Sequence, residues 1–176
     1  MESRVNDQSV GLGSRLLLGA LAGMAGTAAM TAAMNRLHQR LPPKDRYPLP
    51  PREITERMLG SQSEAALKDK ATAAHFGYGA VTGALLAVID PTPRPAFGAV
   101  AGVATWVASY FGWIPAFGVL RSAETHPWRR NKLMISAHLV WGSVTAATLR
   151  DLTVARRTML EQGPLRDAEP RKETEA

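Results

Sequence analysis

Residues 74–86 read AHFGYGAVTGALL, and residues 137–149 read AHLVWGSVTAATL. Aligned without a gap, the two stretches are identical at seven of thirteen positions, and both carry an aromatic residue at the fifth position, Tyr78 or Trp141. Each has a histidine at its second position, and neither contains Asp, Glu, Lys or Arg. The repetition indicates a duplicated structural element, and the composition indicates that this element lies in apolar surroundings.

Four stretches of the chain lack charged residues altogether. They comprise 20 residues at 16–35, 19 at 71–89, 26 at 95–120 and 17 at 133–149. A helix rises about 1.5 Å per residue, so roughly 20 residues cross a hydrocarbon core of about 30 Å. Pro115 is expected to end or kink the third helix. The pattern therefore predicts an all-α, polytopic membrane protein with transmembrane helices at about 15–35, 71–89, 96–114 and 133–149.

A soluble four-helix bundle is the alternative interpretation. The mean hydropathy of −0.11 is low for a protein with four spans. Charge is confined, however, to the segments between the uncharged stretches, which are themselves rich in Ala, Gly and Thr. A soluble bundle needs a polar face on each helix, and residues 16–34 offer only Thr27 and Thr31. We therefore expect the membrane architecture.

The first and third stretches also resemble each other, with GALAGMAG at 19–26 and GAVAGVAT at 98–105. Together with the opening pair, this order predicts two helical-hairpin repeats, spans one and two followed by spans three and four. Each hairpin has an even number of spans, so both enter the membrane from the same side and the repeats are parallel. The starts of spans two and four are then expected in the same leaflet.

Glycines are spaced for close contact between helices. Three pairs stand four residues apart on one helical face: Gly19 and Gly23, Gly79 and Gly83, and Gly98 and Gly102. Helices in lipid gain little hydrophobic free energy by associating, so close backbone contact has to supply the attraction. These faces are predicted to be the seams of a compact bundle or of a homo-oligomer.

The composition of the other segments predicts their structure. Residues 1–14 form a polar, flexible tail that precedes the transmembrane domain at 15–150. The connection at 36–70 contains five prolines, which disfavour a helix and favour an extended path. From Glu53 onwards an amphipathic helix is expected to lie on the membrane surface. Residues 151–176 form a charged, largely disordered tail after a short helical extension.

His75 and His138 are predicted to form an intramembrane polar pair. A polar group in hydrocarbon needs a partner, so each imidazole is expected to hydrogen-bond a neighbouring helix, and a proton-handling site is the alternative. Four residues near span ends are predicted to lie at the lipid interface, with the bilayer and its anionic headgroups as partners. They are Trp113, Trp128, Arg129 and Arg130.

The residues disfavour several functional classes. The chain has no cysteine, which excludes disulfides, thiolate metal ligands and a cysteine nucleophile. Two histidines without a carboxylate in the spans do not complete a zinc site. No nucleotide-binding or hydrolytic motif is present. The net charge of +6 comes from segments that flank the spans, so lipid headgroups explain it better than nucleic acid. We expect no catalytic residue, no cofactor and no metal.

The segments PLPPRE at 48–53 and SAHLVWGSVTAATLRDL at 136–152 resemble the YagU-like family of small bacterial inner-membrane proteins, a domain of unknown function. The family motif corresponds here to Pro50, Pro51, Arg52, His138 and Trp141. The resemblance implies a multi-pass protein of the bacterial cytoplasmic membrane and supplies no reaction or active site.

The sequence thus predicts a non-enzymatic integral membrane protein that forms a bundle or an oligomer and serves as an envelope or pH-stress component. The alternative is a small transporter or channel subunit whose pathway passes between the repeats and uses the two histidines. The soluble bundle has the lowest weight.

Overall fold

The computed structural model describes residues 10–60, 62–164 and 166–167. This part of the chain contains six α-helices: Leu12–Gln39 (α1), Pro50–Leu59 (α2), Glu64–Ile89 (α3), Pro95–Ala108 (α4), Ile114–Ala116 (α5) and Trp128–Thr158 (α6). A π-helical turn at Ser109–Trp113 joins α4 to α5 and contains a kink at Gly112. Two 3₁₀ turns, Pro43–Asp45 and Ala123–Thr125, lie in the connections.

The four long helices stand side by side in the order α3, α1, α6, α4. α1 packs against α3 on one side and against α6 on the other, and α4 packs against the far side of α6. Gly26 allows the close approach of the central pair, because a Cβ atom there would lie 2.8 Å from the carbonyl oxygen of Trp141. α2 packs against the outer helix α3 and covers one end of the helix bundle.

Glycines form the contact between α1 and α3. A Cβ atom added to Gly19 would lie 2.6 Å from the Cβ of Ala87, and one added to Gly83 would lie 2.6 Å from the Cα of Gly23. A Cβ on Gly79 would come 3.2 Å from the carbonyl oxygen of Gly23. These distances leave little room for a side chain, so the two helix backbones are in direct contact.

The contact between α4 and α6 is built in the same way. A Cβ atom on Gly98 would lie 2.9 Å from the carbonyl carbon of Gly142, and one on Gly102 would lie 3.0 Å from the backbone one turn earlier in α6. The register differs from the first contact by one helical turn. In the sequence alignment Ala146 of α6 corresponds to Gly83 of α3, and the closest backbone approach in the second contact is at Gly142.

Three of the described helical segments are long and apolar enough to cross a membrane: Leu12–Gln39, Glu64–Ile89 and Pro95–Ala116. Their surfaces carry large apolar side chains that are 43% exposed or more, and these include Leu17, Met24, Val81, Leu85, Val100 and Phe111. Such a surface is unfavourable in water and is covered by lipid in a bilayer. The chain is therefore an all-helical membrane protein. α6, which contains the fourth predicted span, is not among these three segments.

The amino-terminal boundary differs from the prediction. α1 begins at Leu12, inside the predicted tail 1–14, whose residues 1–9 lie outside the described part of the chain. At the other end α6 continues to Thr158, which confirms the predicted helical extension at the start of the tail 151–176. In that tail, residues 165 and 168–176 also lie outside the described residues.

The prediction that the prolines of the first connection prevent a helix is wrong for Pro50 and Pro51. These two residues open α2. Proline suits a first helical turn, because its missing N–H would have no partner in the helix and its fixed φ is already helical. α2 ends at Leu59, and the next residue, Gly60, has a φ of 70°, a backbone angle that favours glycine.

Candidate functional site

A cavity of about 250 Å³ lies between α3 and α4, at the end of the bundle that α2 covers. Its inner wall consists of large apolar side chains from the central helices, Met30 of α1 and Met134 of α6, together with Trp141. Ile114 closes the cavity beside α4, and Ile54 of α2 belongs to the roof. The cavity is therefore lined by residues from every long helix and is partly open to the surface.

Most hydroxyl groups in the cavity wall are hydrogen-bonded within their own helices. Thr27, Thr82 and Thr105 each donate to a carbonyl oxygen four residues earlier, at 2.8 to 2.9 Å. Thr55 donates to the carbonyl oxygen of Pro51 at 2.8 Å. No Asp, Glu, Lys or Arg is among the described residues that line the cavity. The walls are thus uncharged and mainly apolar, and few of their polar atoms are free.

His75 and His138 line this same cavity. The Nδ1–H of His138 donates to the carbonyl oxygen of Met134 at 2.8 Å, which leaves Nε2 as an acceptor in the neutral ring. Nε2 of His75 is buried and has no hydrogen-bond partner among the described residues. The expectation that each imidazole bonds a neighbouring helix is therefore wrong. His138 bonds its own helix, at the carbonyl group one turn earlier.

Tyr110 adds a third polar group to the cavity. It lies on the π-helical turn after α4, and the whole residue is only 4% exposed. Its hydroxyl group has no hydrogen-bond partner in the described part of the chain. The ring packs 5.6 Å from the ring of Trp106, which fixes its orientation. The Tyr110 ring therefore belongs to the cavity wall, while its hydroxyl group is buried in that wall.

The outer wall of the cavity is a bridge of side chains between α3 and the π-helical turn. The Tyr78 hydroxyl lies 3.0 Å from Oγ of Ser109. Since Ser109 donates its own hydrogen to the carbonyl oxygen of Thr105, Tyr78 is the donor in this bond. The ring of Tyr78 also packs 6.1 Å from that of Trp113. Tyr78 is 40% exposed, so this wall lies at the lateral surface of the bundle.

Arg130 of α6 holds the connection before α2 in place. Its buried guanidinium donates to the carbonyl oxygens of Tyr47 at 2.9 Å and Pro48 at 2.8 Å. It stacks 3.5 Å from the centre of the Tyr47 ring and lies 3.9 Å from the carboxylate of Glu53 in α2. These contacts anchor α2 to the opposite side of the bundle, above the cavity.

The four predicted interface residues lie in three different environments. Trp128 and Arg129 are exposed at the start of α6, where contact with headgroups stays a prediction. Trp113 is partly buried and lines the cavity. For Arg130 the prediction is wrong, because backbone carbonyl groups of the first connection surround its guanidinium in place of lipid.

Arg52, from the Pro-Pro-Arg motif, joins the start of α2 to the start of α3. Its guanidinium lies 2.7 Å from the carboxylate of Glu64 and 3.7 Å from that of Glu56. The hydrogen bond from Arg52, with a second from Lys68, holds the pKa of Glu64 below its ordinary value. The other four motif residues, Pro50, Pro51, His138 and Trp141, all line the cavity.

Sequence reasoning missed Tyr110 and Ser109. Both lie in the third span and face the same cavity as the histidines. A tyrosine hydroxyl inside an uncharged stretch needs a partner for the same reason as an imidazole does, and that is the signal that the sequence offers. Within the described residues, no three His, Cys, Asp or Glu side chains are grouped so as to hold a metal ion.

Comparison of the chain with protein-family models, with curated proteins and with solved structures gives no match. The YagU-like resemblance therefore stays a prediction.

Proposed function

We propose that the chain is a non-enzymatic, four-span membrane protein that binds a small, mainly apolar molecule in the cavity between α3 and α4. The supporting observation is that the cavity combines an uncharged, mainly apolar lining from every long helix with the side chains of His75, His138 and Tyr110. Sites for small molecules are typically concave and mostly apolar, with a few polar side chains in the wall. Nε2 of His75 and the hydroxyl of Tyr110 are themselves buried in the wall, without partners among the described residues.

The position of α6 supports a fourth span. Within 133–149, only Ser136 and Leu139 are exposed, because α1 and α4 cover two sides of the helix. A helix that contacts mostly other helices needs fewer large apolar residues than one that faces lipid on most sides, and polar groups can join it to its neighbours. Its uncharged stretch of 17 residues reaches the shortest length usual for a span, about 17 residues.

Two similar glycine contacts support a duplicated hairpin. α1 with α3, and α4 with α6, each bring glycines of both helices into backbone contact, in the order that the sequence repeat predicts. The cavity then lies between the outer helices of the two hairpins. The placement in a bacterial cytoplasmic membrane and a role in envelope or pH stress follow only from the resemblance and the histidines, and both stay proposals, as does a homo-oligomer.

A photolabel tests whether an apolar molecule enters the cavity. The full chain is reconstituted in phosphatidylcholine nanodiscs and irradiated with iodophenyl-trifluoromethyl-diazirine, an apolar ring compound, and labelled residues are identified by mass spectrometry. Met30 and Met134 are only 4% and 5% exposed, so label dissolved in lipid does not reach them from outside. We expect both methionines to be labelled.

Two adjacent alanines of α3 provide matched variants. Ala74 lines the cavity, whereas Ala73 is also exposed and does not line it. Ala74→Phe should fill the mouth of the cavity and abolish labelling of the two buried methionines. Ala73→Phe should leave the labelling of these methionines unchanged. Labelling restricted to outward residues such as Val81 and Val100 would refute the binding proposal.

Transport is a second candidate, because His75 and His138 both line a cavity between the two predicted hairpins. Proton or solute flux into liposomes is compared between the wild type and a His75→Ala, His138→Ala double variant. Flux that depends on the histidines would support a pathway through the cavity. Unchanged flux would remove the histidines from any pathway, and no flux in the wild type would reject transport.

A further inference from the structure

A second concave region lies where the end of α1 meets the start of α6. It is an open groove of about 460 Å³, and the described residues that line it come from two short segments, 37–42 and 129–136. None of them lines the cavity between α3 and α4. This groove, called the basic groove below, is therefore a separate feature of the molecule.

Three basic side chains line the basic groove, and all three are exposed: Arg40, Arg129 and Lys132. No acidic residue of the described chain lines it. Two other arginines at this end of the bundle, Arg52 and Arg130, lie beside glutamate carboxylates. The three groove cations have no such ion pair within the described ranges. The groove thus carries three positive charges that the protein itself does not neutralise.

The spacing of the groove residues concentrates this charge. Arg129 and Lys132 stand three residues apart on α6, so they share one face of the helix, and like charges at this spacing repel each other. Arg40 adds a third charge from the other side of the groove, and Ser136 adds an exposed hydroxyl group one turn after Lys132. A phosphate group between these side chains would accept charge-assisted hydrogen bonds and remove the repulsion.

The basic groove lies at the depth of lipid headgroups. Arg40 directly follows α1, one of the apolar segments long enough to cross a membrane, and Lys132 directly precedes the uncharged stretch 133–149. The Lys132 ammonium lies 5.4 Å from the centre of the Trp128 ring, and Trp128 is 61% exposed. Exposed indole rings are enriched at the boundary between membrane and water. A lipid phosphate is therefore the anion that the groove meets in a bilayer.

The side of the groove nearer the bilayer centre is apolar. Leu37 lines it about one helical turn before Arg40. On α6, Leu139 follows Ser136 by three residues on the same face and is 41% exposed. Positive charge at the outer end and apolar side chains at the inner end match a molecule that has a phosphate joined to acyl chains.

We infer that the basic groove binds one negatively charged phospholipid, with its phosphate among the three cations and its acyl chains along the apolar side. Basic pockets between membrane helices bind anionic headgroups in this way. A choline headgroup would bring its own positive charge against the cations, and a soluble phosphate would lack the chains. The inference does not depend on the cavity. It goes beyond the interfacial contact expected from the sequence, because it assigns Arg40, Lys132 and Ser136 to one defined site.

Native mass spectrometry of the full chain in detergent micelles tests this site. The delipidated protein is titrated with phosphatidylglycerol or with phosphatidylcholine of the same acyl chains, and the fraction that carries one lipid gives the Kd. The double variant Arg40→Gln, Lys132→Gln removes two charges from the groove. Its matched control, Arg36→Gln, Arg121→Gln, removes two exposed charges that do not line the groove. All four residues are exposed, so both variants should keep the fold, which thermal unfolding without lipid verifies.

We expect the wild type to bind one molecule of phosphatidylglycerol more tightly than it binds phosphatidylcholine. The Kd for phosphatidylglycerol should rise about tenfold in the groove variant, because charge-assisted hydrogen bonds are lost. It should stay at the wild-type value in the control variant. Glycerophosphoglycerol, the same headgroup without acyl chains, should not displace the lipid at equal concentration.

Three results would overturn the inference. Equal affinity of the wild type for the two lipids would show that the groove does not recognise a negative headgroup. An equal rise of the Kd in both double variants would show that the net charge attracts the lipid without a defined site. Displacement by glycerophosphoglycerol at equal concentration would show that the groove binds a soluble phosphate compound and not a lipid.

Discussion

The two ends of the helix bundle are built from side chains of very different size. At the end away from α2, the core consists of Ala22, Ala87 and Leu149, beside Gly19 and Gly83. At the end that α2 covers, the core consists mainly of large side chains. They include Met30, Met34, Trp106, Tyr110, Ile114, Leu133, Met134 and Trp141. The first end is closely packed, and the second contains the cavity.

This difference shows how side-chain size sets the spacing of the helices. Glycine lets two backbones touch, so α1 and α3 leave no space where their glycines face each other. Rings and methionines hold the helices further apart. α3 and α4 have no glycine contact with each other among the described residues. Tyr78 of α3 instead contacts Ser109 and Trp113 of the π-helical turn that follows α4. The cavity begins where the glycine contacts stop.

Gly83→Leu should produce the largest effect, because it places a side chain between α1 and α3. A Cβ atom at this position would already lie 2.6 Å from the Cα of Gly23, so the helices have to separate. We expect a loss of at least about 3 kcal/mol in the free energy of unfolding, measured by thermal or denaturant unfolding of the purified protein in detergent. The control is Gly77→Leu in the same helix, where a Cβ would meet nothing within 4 Å. Equal stability of the two variants would contradict the role of the glycine contact.

Arg130→Met should produce the second-largest effect, at the opposite end. The change removes the donor to the carbonyl oxygens of Tyr47 and Pro48 and leaves these groups without that partner. A hydrogen bond to a charged group is worth about 1.5–3 kcal/mol, and the two bonds hold the same short connection, so their contributions are not additive. We expect a loss of about 2–3 kcal/mol and faster proteolysis of residues 41–49. Arg129→Met, at an exposed neighbouring position, should change neither. Proteolysis unchanged in Arg130→Met would show that other contacts hold the connection.

The glycine end of the bundle can be predicted from the sequence much better than the cavity end. Two glycines four residues apart mark a contact face on any membrane helix. Such pairs, Gly19 with Gly23 and Gly79 with Gly83, therefore predict a seam before the partner helix is known. The all-helical membrane architecture follows from uncharged stretches long enough to cross a bilayer. The partner of the seam at Gly98 and Gly102, and its one-turn difference in register, depend on Gly142, which belongs to no predicted pair.

The cavity depends on distances between residues that are far apart in the chain. Arg130 bonds carbonyl groups 82 and 83 residues earlier, whereas its neighbour Arg129 is exposed. One residue turns a helix by about 100°, so the burial of one arginine and not the other is decided by which helix lies alongside. Local composition cannot supply that information. The same holds for Tyr110, whose missing partner becomes visible only when all surrounding helices are in place.

Tyr110→Phe should raise the stability of the ligand-free protein, in contrast to the first two variants. The substitution removes a buried hydroxyl group that has no partner in the described part of the chain and keeps the ring that packs on Trp106. We expect a gain of about 1 kcal/mol in the free energy of unfolding in detergent without added ligand. Tyr78→Phe removes a hydroxyl that bonds Ser109 and should lose about the same amount. A loss of stability in Tyr110→Phe would mean that water or lipid already serves its hydroxyl.

Glu64→Gln should have the smallest effect, since it removes an exposed ion pair between α2 and α3. The pKa of Glu64 is held below its ordinary value of 4.5, first by the hydrogen bond from Arg52. The ionised carboxylate therefore stabilises the fold above about pH 4.5, and this contribution is lost as the pH falls through the lower pKa of the folded protein. The difference in melting temperature between the wild type and Glu64→Gln should be constant near neutral pH and shrink below pH 4.5. It should also decrease as the salt concentration rises.

Asp69→Asn removes one negative charge from an exposed site of α3 that has no ion pair among the described residues, so it should not reproduce this dependence. A difference that persists unchanged at pH 3 would show that Glu64 acts through packing and not through its charge.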